Sequence, residues 1–504
     1  MSAAPDIAAA GRLTVYGLFR ARALRDPQAL AVEAGARRLS YAELDARVRA
    51  LAGGLAARGV GRGDRIAILS ENRVEYVELE LAAALLGAIV ACQNWRLSGE
   101  ELAHCLRLVT PRLLIVSARH AAAGRAAAPA DLPVVEIERD FGRLLAAPLS
   151  DDPAVDPEDG LVILYTSGTT GLPKGALISH RAQIARMIAL RLDLRATEED
   201  GFIAWSPLFH MAATDQTLGA LMSGATVVVI DGFDVEAILS ALERHKVGWL
   251  VLMPGAIEPV IARLRERPIE PRGIRAMGAM ADLVPIAQIA EVTALLGAPF
   301  LNSFGATETG LPPCSAALIE PGVAPARLSK RHSALCAIRL LDETGADVAP
   351  GEAGEMAVRG PTVFSGYWAA EATNRRDFAD GWFRMGDLFR RNADGGYDFV
   401  DRAKYMIKSG GENIYPAEIE RVLLADPRIA DAAIVRKRDL VWGETPVAFV
   451  AAKAPGLTEE DVRAICRDKL ASYKRPREVR LIALEAFPRS TTGKIQRHEM
   501  ETWL

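Results

Sequence analysis

Apolar residues recur along this chain with two periods, one helical and one strand-like, that take turns. Behind Ser40-Tyr41-Ala42-Glu43, the residues Leu44, Val48, Leu51 and Leu55 fall at helical spacing, and the serine and glutamate form a capping box that predicts the helix start. A turn over residues 61–64 leads into a short apolar strand at 65–69, followed by a predicted helix over 76–91. Ser98 or Gly99 caps the next helix, with Glu100 and Glu101 at the positive end of its dipole, and Ser179 caps another that begins at His180. Further strands are predicted at 226–230 and 249–253, with a helix at 235–245 between them. Strand, helix, strand in succession argues for an α/β fold on mainly parallel sheets. The alanine-rich stretch 121–133 and the acidic, proline-bearing stretch 151–159 read as surface connections.

From Ala337 the pattern turns all-β: a strand at 338–341, a turn at 342–345, strands at 355–359 and 381–388, and a hairpin closed by Asp394-Gly395-Gly396. Beyond Lys404 come an apolar pair, the doublet Gly410-Gly411, a helix opened by Pro416, and enough helix and strand for a small α+β domain. The expected architecture is α/β: a large N-terminal domain of βαβ sheets with a β-rich subdomain, residues 1–403, and a small α+β C-terminal domain, residues 404–504.

Composition narrows the partners. A chain of 504 residues exceeds what one core serves, which agrees with two domains. Half the residues are apolar and a quarter charged, as in ordinary soluble proteins. The net charge of −4 gives no reason to expect nucleic acid or an anionic membrane. Five scattered cysteines without a Cys-x-x-Cys pair argue against a disulfide framework or a structural zinc site, and a reducing cytoplasm fits. The N-terminus lacks the pattern of a signal peptide, and the longest apolar run, 81–92, is short of the roughly 20 residues that span a bilayer. That run reads as a buried helix.

Chemistry concentrates at residues 164–175, where Thr166, Ser167, Gly168, Thr169, Thr170, Gly171, Lys174 and Gly175 share one loop. Glycines admit close backbone N–H groups, hydroxyls donate further bonds and the lysine adds charge, a set suited to phosphate. A Walker A loop needs Gly-Lys-Ser/Thr opening a helix, and Pro173 with Gly175 breaks that template. A second cluster, Phe304-Gly305-Ala306-Thr307-Glu308, sets a hydroxyl beside a carboxylate. This suits a phosphate-bound magnesium ion, and a helix N-cap with an acidic first turn gives the same letters. Asp387, after a glycine at a strand end, can accept from two ribose hydroxyls or serve a turn. His210 follows Pro207 among apolar neighbours and alone proves little; Lys494 sits in a polar loop where a lysine is usually just solvated.

Taken in order and spacing, these clusters resemble the motifs of the acyl-adenylating (AMP-forming) superfamily, which includes acyl- and aryl-CoA synthetases, over roughly residues 39–497. The resemblance implies ATP, Mg²⁺ and coenzyme A as co-substrates and cofactor. It implies that the 166–175 loop binds phosphate, with Thr166 also catalytic, that Phe304 stacks near adenine with Gly305 in the nucleotide-binding set, that Thr307 touches phosphate and that Glu308 is a catalytic residue serving the metal. Asp387 and Arg402 are assigned the ribose, Lys404 the hinge of a mobile C-terminal domain, and Lys494 the contact to carboxylate and α-phosphate during adenylation. His210, with a catalytic role as well, Met211, Met253, Met277, Gly278 and Ser303 are assigned to the acyl pocket, and Gly410, Gly411 and Trp442 to the path of CoA. Packing or turn formation explains the glycine doublet and the tryptophan equally well.

Three positions depart from the family pattern. Asp401 stands where glycine precedes the ribose arginine, Tyr405 where an aspartate follows the hinge, and residues 327–332 replace a Gly-Ser-x-Gly-x-Pro stretch. Joining a carboxylate to an α-phosphate brings two anions together, so the first half-reaction needs Lys494, the metal at Glu308 and the loop donors as concentrated positive charge. The implied pocket lacks arginine, which favours a monocarboxylic fatty or aromatic acid over a dicarboxylate. The expected function is an AMP-forming acid–CoA ligase, with small-molecule acid, ATP and CoA as its partners and a homodimer left open. Loading of a carrier-protein phosphopantetheine and a catalytically silent nucleotide-binding module are the alternatives; a kinase-type P-loop NTPase ranks third.

Overall fold

The computed structural model describes residues 10–145, 148–149, 151–166, 172–409, 412–489 and 495–504. By internal contacts the chain falls into two units, Met1–Ile338 with Val358–Phe383, and Arg339–Ala357 with Arg384–Leu504.

Among the described residues, the first unit holds two short two-stranded ladders, Phe300–Leu301 with Leu318–Ile319 and Gly305–Ala306 with Gly310–Pro313, and two large sheets flanked by helices. One has six strands in the order Val134–Glu136, Leu113–Val116, Arg65–Leu69, Ile89–Cys92, Gly160–Thr166, Lys174–Ser179. All neighbours are parallel except the last pair. The other runs Arg37–Ser40, Leu30–Ala34, Val227–Val229, Phe202–Ala204. Parallel bridges carry it onward, from Gly201 to Val247, from Val247 to Ile274, from Leu250 to Met277 and from Met277 to Phe300. Strands buried on both faces read as continuous apolar runs, which is why 161–164 and 247–252 carry almost no polar side chain.

Local signals set the helix starts. Ser40 and Glu43 form the capping box of Tyr41–Ala56, and Ser98 with Glu101 forms that of Gly99–Val109. The hydroxyl of Ser179 accepts from Ala182 N–H at the start of His180–Leu194, while the buried His180 accepts from Val15 N–H. The apolar run over 81–92 is not one helix. Val74–Leu86 ends at Gly87, whose φ of 67° is left-handed, and Ile89–Cys92 continues as a buried strand. The stretch 121–133 is more ordered than a bare connection, since Ala121–Ala127 is helical. Residues 249–253 take part in single bridges without forming a full strand. Among the described residues no helix is long and apolar enough to cross a membrane.

In the second unit, residues 387–391 of the strand Trp382–Arg391 pair antiparallel with Tyr397–Arg402, and the turn at 394–396 closes through Gly396 N–H donating to Asp394. A five-stranded sheet follows, ordered Glu412–Ile414, Ile407–Ser409, Gly443–Ala452, Ile429–Asp439, with Glu478–Leu481 parallel to Gly443–Ala452. Its apolar face packs Ile407, Ile434, Ala448 and Val450 against Ile419 and Leu423 of the helix Pro416–Leu424 and Val462 and Cys466 of Glu459–Lys469. This is the α+β module that the alternating pattern predicts.

Candidate active site

The phosphate-type loop joins two antiparallel strands whose ends, Thr166 and Lys174, stand directly opposite each other. Ser167, Gly168, Thr169, Thr170 and Gly171 lie outside the described residues, as do Gly410, Gly411 and Lys494. The strand Lys174–Ser179 is covered along its free edge by residues 365–368. Ser365 N–H donates to Leu177 O at 2.8 Å, Leu177 N–H to Gly366 O at 3.0 Å and Trp368 N–H to Gly175 O at 2.7 Å. This pairing brings Tyr367 beside Lys174. The Lys174 ammonium lies 3.9 Å from the centre of the Tyr367 ring, a cation held over a π face.

The Tyr367 hydroxyl donates to Glu308 Oε1 at 2.6 Å. Burial, then the neighbouring Glu308 carboxylate, pushes the phenol's pKa well up, so Tyr367 remains a proton donor. Glu308 itself is not in a helix. It sits with Thr307 and Thr309 in the tight turn between Gly305–Ala306 and Gly310–Pro313, which removes the N-cap alternative. A Cβ on Gly305 would lie 2.0 Å from Gly310 O, so only glycine closes this turn. Its half-buried side runs from Phe304 to Glu308 without a break.

Behind the turn lies a buried cation. Arg186, 1% exposed, pairs with Asp215 at 3.1 Å, donates from Nη2 to Thr307 O at 3.0 Å and from Nε to Thr362 O at 3.0 Å. Glu308 O in turn accepts from Phe364 N–H at 2.8 Å. Tyr367, Arg186 and Asp215 were not singled out from the sequence. One signal was present: Asp215 is the only charge in Met211–Ser223, a helix buried on every side, and a buried lone charge demands a partner.

Magnesium is the metal the family resemblance implies, and the donors here suit it. Glu308 offers a carboxylate oxygen beyond the one that Tyr367 occupies, and the neighbouring residue in the turn, Thr307, carries a hydroxyl. Among the described residues no group of three or more His, Cys, Asp or Glu could hold an ion alone. A hard ion that takes one carboxylate and completes its shell with phosphate oxygens and water fits that poverty.

The residues assigned to the acyl pocket gather at one edge. His210, Met253, Gly278 and Ser303 each follow the carboxyl end of a neighbouring parallel segment, 202–204, 247–250, 274–277 and 300–301. Open α/β sheets bind ligands at this edge. His210 caps Met211–Ser223, its Nδ1 accepting from Ala212 N–H at 3.3 Å, and Met211 is buried at the helix start. Met277 is in the ladder itself, buried between Leu250 and Phe300. Gly278 has φ of 79°, and a Cβ there would lie 2.2 Å from the Phe300 ring. Ser303 Oγ accepts from Met280 N–H at 3.2 Å.

In the second unit, Asp387 and Arg402 face each other across paired strands, Arg402 Nε 3.3 Å from the buried Asp387 carboxylate. Glu355 accepts from Gly386 N–H at 3.0 Å, fixing the residue just before Asp387 in the strand Trp382–Arg391. Trp442 is 43% exposed at a hairpin tip, with the Arg477 guanidinium 5.2 Å over its ring. Lys404 is exposed in the turn Ala403–Tyr405, its ammonium 4.8 Å from the Tyr405 ring centre, and Arg497 approaches that ring at 4.6 Å. The departure at Tyr405 thus places an aromatic between two cations.

Asp401 has a structural reason as well. Tyr415 makes no side-chain cap for Pro416–Leu424, and Asp401 supplies one, accepting Ala417 N–H at 2.7 Å. Burial pushes its carboxyl up to about 6, against these backbone bonds. The folded protein therefore holds this proton more tightly than the unfolded chain, and the contribution to stability falls as pH rises from about 4 to about 6, by on the order of 3 kcal/mol. Urea midpoints measured across that range should lose this slope in Asp401→Asn; an unchanged slope would assign it elsewhere.

Comparison with known proteins places these clusters in context. The family model described as AMP-binding enzyme matches residues 19–368, and AMP-binding enzyme C-terminal domain matches 418–494. The indoleacetate–CoA ligase of Aromatoleum aromaticum is 36% identical over 493 residues, covering 94% of this chain and 95% of that one. The 2-succinylbenzoate–CoA ligase of Bacillus licheniformis is 32% identical over 484 residues, covering 96% and 98%. Among solved structures, the o-succinylbenzoate CoA synthetase of Bacillus subtilis in complex with its acyl-adenylate intermediate OSB-AMP superposes with a TM-score of 0.85 at 27% identity, covering 97% and 98%.

Proposed function

The chain belongs to the AMP-binding enzyme family, and on that premise we propose that it is an AMP-forming carboxylic acid–CoA ligase whose acid carries an aromatic ring. One observation carries the reading: Lys174 at the exit of the phosphate-type loop is stacked on Tyr367, whose hydroxyl holds Glu308, so two motifs far apart in sequence meet through a third residue. The relatives' names point to aromatic acids rather than fatty ones, and none of the strand-edge residues carries a fixed positive charge, which favours a single carboxylate over a dicarboxylate.

In the first half-reaction an acid oxygen attacks the α-phosphorus of ATP, the bond from that phosphorus to the bridging β-phosphate oxygen breaks, and pyrophosphate leaves as the acyl-AMP mixed anhydride forms. Bound magnesium would supply Lewis-acid neutralisation of the phosphate oxygens. The protein's own part is positioning and charge. Lys174 and the loop donors hold the departing phosphates, Thr307 donates to phosphate, Glu308 is kept in one rotamer by Tyr367, and Lys494 brings the two anions together. Asp387 and Arg402 hold the ribose, and Phe304 lies against adenine. In the second half-reaction the CoA thiolate attacks the carbonyl and AMP leaves, along a path assigned to Gly410, Gly411 and Trp442 after rotation at Lys404, where we set the boundary between 1–403 and 404–504.

The test is a panel of aryl, arylacetic and fatty acids with ATP and magnesium, read as pyrophosphate release with and without CoA. Acyl-CoA from an aromatic acid is the expected product. Acyl-AMP that CoA does not consume would favour a carrier-protein acceptor, and an inert wild type would favour a silent nucleotide-binding module. In pyrophosphate exchange, Lys494→Ala should lose about 100-fold or more of the adenylation rate. Wild-type exchange in that variant would remove Lys494 from the first step.

A further inference from the structure

The stretch 327–332, which departs from the family pattern, contains a lysine where none is easily explained. Lys330 is 1% exposed, and a buried ammonium is retained only where partners offset its desolvation. It has two. One is the Asp282 carboxylate, in the turn Ala281–Leu283; the other is Asn302 Oδ1, at 2.8 Å. The Asn302 amide then donates to Leu328 O at 2.8 Å and Ser329 O at 3.1 Å, so the residue that accepts from Lys330 also ties down the loop that carries it. The loop is sewn in on its other side too, with Ser333 N–H donating to Pro313 O at 2.7 Å and Ser315 N–H to Ser333 Oγ at 2.8 Å.

Both partners of Lys330 adjoin the strand edge assigned to the acid. Asp282 closes the turn that leaves Gly278 and passes through Met280, a residue with a left-handed φ of 54° whose N–H bonds Ser303 Oγ. Asn302 immediately precedes Ser303. Two bonds from one ammonium thus join the two sides of the edge, the 278–282 turn and the 302–303 strand end, one to a charged group and one to a neutral one. A pair with a buried ammonium and a partly exposed carboxylate adds little net stability, and its use lies in fixing one geometry.

We propose that Lys330 is a specificity-determining positioning residue: it clamps the Gly278 to Asp282 turn to Asn302-Ser303 and so sets the width of the slot that receives the ring of the acid. The proposal rests on the reading of this strand edge as the acid site. Lys330 does not touch the reacting atoms. Its loss therefore changes which acid is accepted and leaves the handling of ATP alone.

The experiment compares kcat/KM for a compact acid, benzoate, and a bulky one, indole-3-acetate, in wild type, Lys330→Met and Lys330→Arg, with KM for ATP measured beside each. In Lys330→Met the ratio of bulky to compact acid should shift by about tenfold through the KM of the acid, with the KM of ATP within about twofold. Lys330→Arg, which keeps the charge on Asp282, should return most of the wild-type ratio. Should Lys330→Met not accumulate as folded protein, Asp282→Asn removes the other end of the clamp from a partly exposed position and should shift the ratio in the same direction. A ratio unchanged in every variant, or a KM for ATP that moves with that of the acid, overturns the proposal while the ligase reading stands. A wild type that adenylates neither these acids nor any other overturns the ligase reading and this one with it.

Discussion

Replacing Arg186 with methionine is expected to cost on the order of 3–5 kcal/mol of stability and most of the adenylating activity. The guanidinium is buried with Asp215 and bonds the carbonyls of Thr307 and Thr362, so methionine removes a charge, two carbonyl partners and the backing of the Glu308 turn at once. Gly310 marks how closely the two fit, since a Cβ there would come within 2.7 Å of the arginine side chain. Burial already pushes the Asp215 carboxyl up, and without Arg186 nothing opposes that push. The variant then folds with Asp215 protonated, while its unfolded chain ionises at the ordinary carboxylate value. The folded state holds the extra proton, so stability falls as pH rises, and urea midpoints should be lower at neutral pH than near the carboxylate range. Arg186→Met with Asp215→Leu should recover stability and not activity, because the apolar pair satisfies the core but leaves Thr307 O unbonded. Equal recovery of both would mean that Arg186 serves the fold alone.

What the sequence discloses and what it hides divide along the range of the interaction responsible. Ser40 with Glu43, Ser98 with Glu101 and Ser179 with Ala182 are contacts within one turn, and each is legible as letters. The run 81–92 misleads because a helix and a strand buried on all sides share one apolar composition; only Gly87, with its left-handed backbone, separates them. Alanine density at 121–133 signals little need for burial and equally a strong helix former, and the second property prevails over 121–127. At the site, the motif residues are legible one by one. Their assembly is not: Tyr367 reaches Glu308 across 59 residues and Arg186 reaches Thr307 across 121, and no local pattern encodes such pairings. The same holds for the clamp at Lys330, visible in sequence only as a departure from a family pattern.

Glu308→Gln is expected to lower the adenylation rate by about 100-fold or more, on the order of 3 kcal/mol of lost electrostatic stabilisation, and to raise the magnesium concentration needed for half-maximal rate. The amide is nearly isosteric and can still accept from Tyr367, so the turn between Gly305–Ala306 and Gly310–Pro313 should stand unchanged. Only the charge is removed. Tyr367→Phe makes the complementary cut: the ring under Lys174 remains, and the hydroxyl that fixes the carboxylate goes. Its expected loss is about tenfold, since Glu308 stays charged but samples more than one rotamer, and the magnesium requirement should rise less than in Glu308→Gln. Measured as pyrophosphate exchange against magnesium at saturating ATP and acid, the two variants separate charge from orientation. If Glu308→Gln kept wild-type exchange and wild-type magnesium dependence, the turn would be a structural hairpin, and the metal role would have to be sought on another carboxylate.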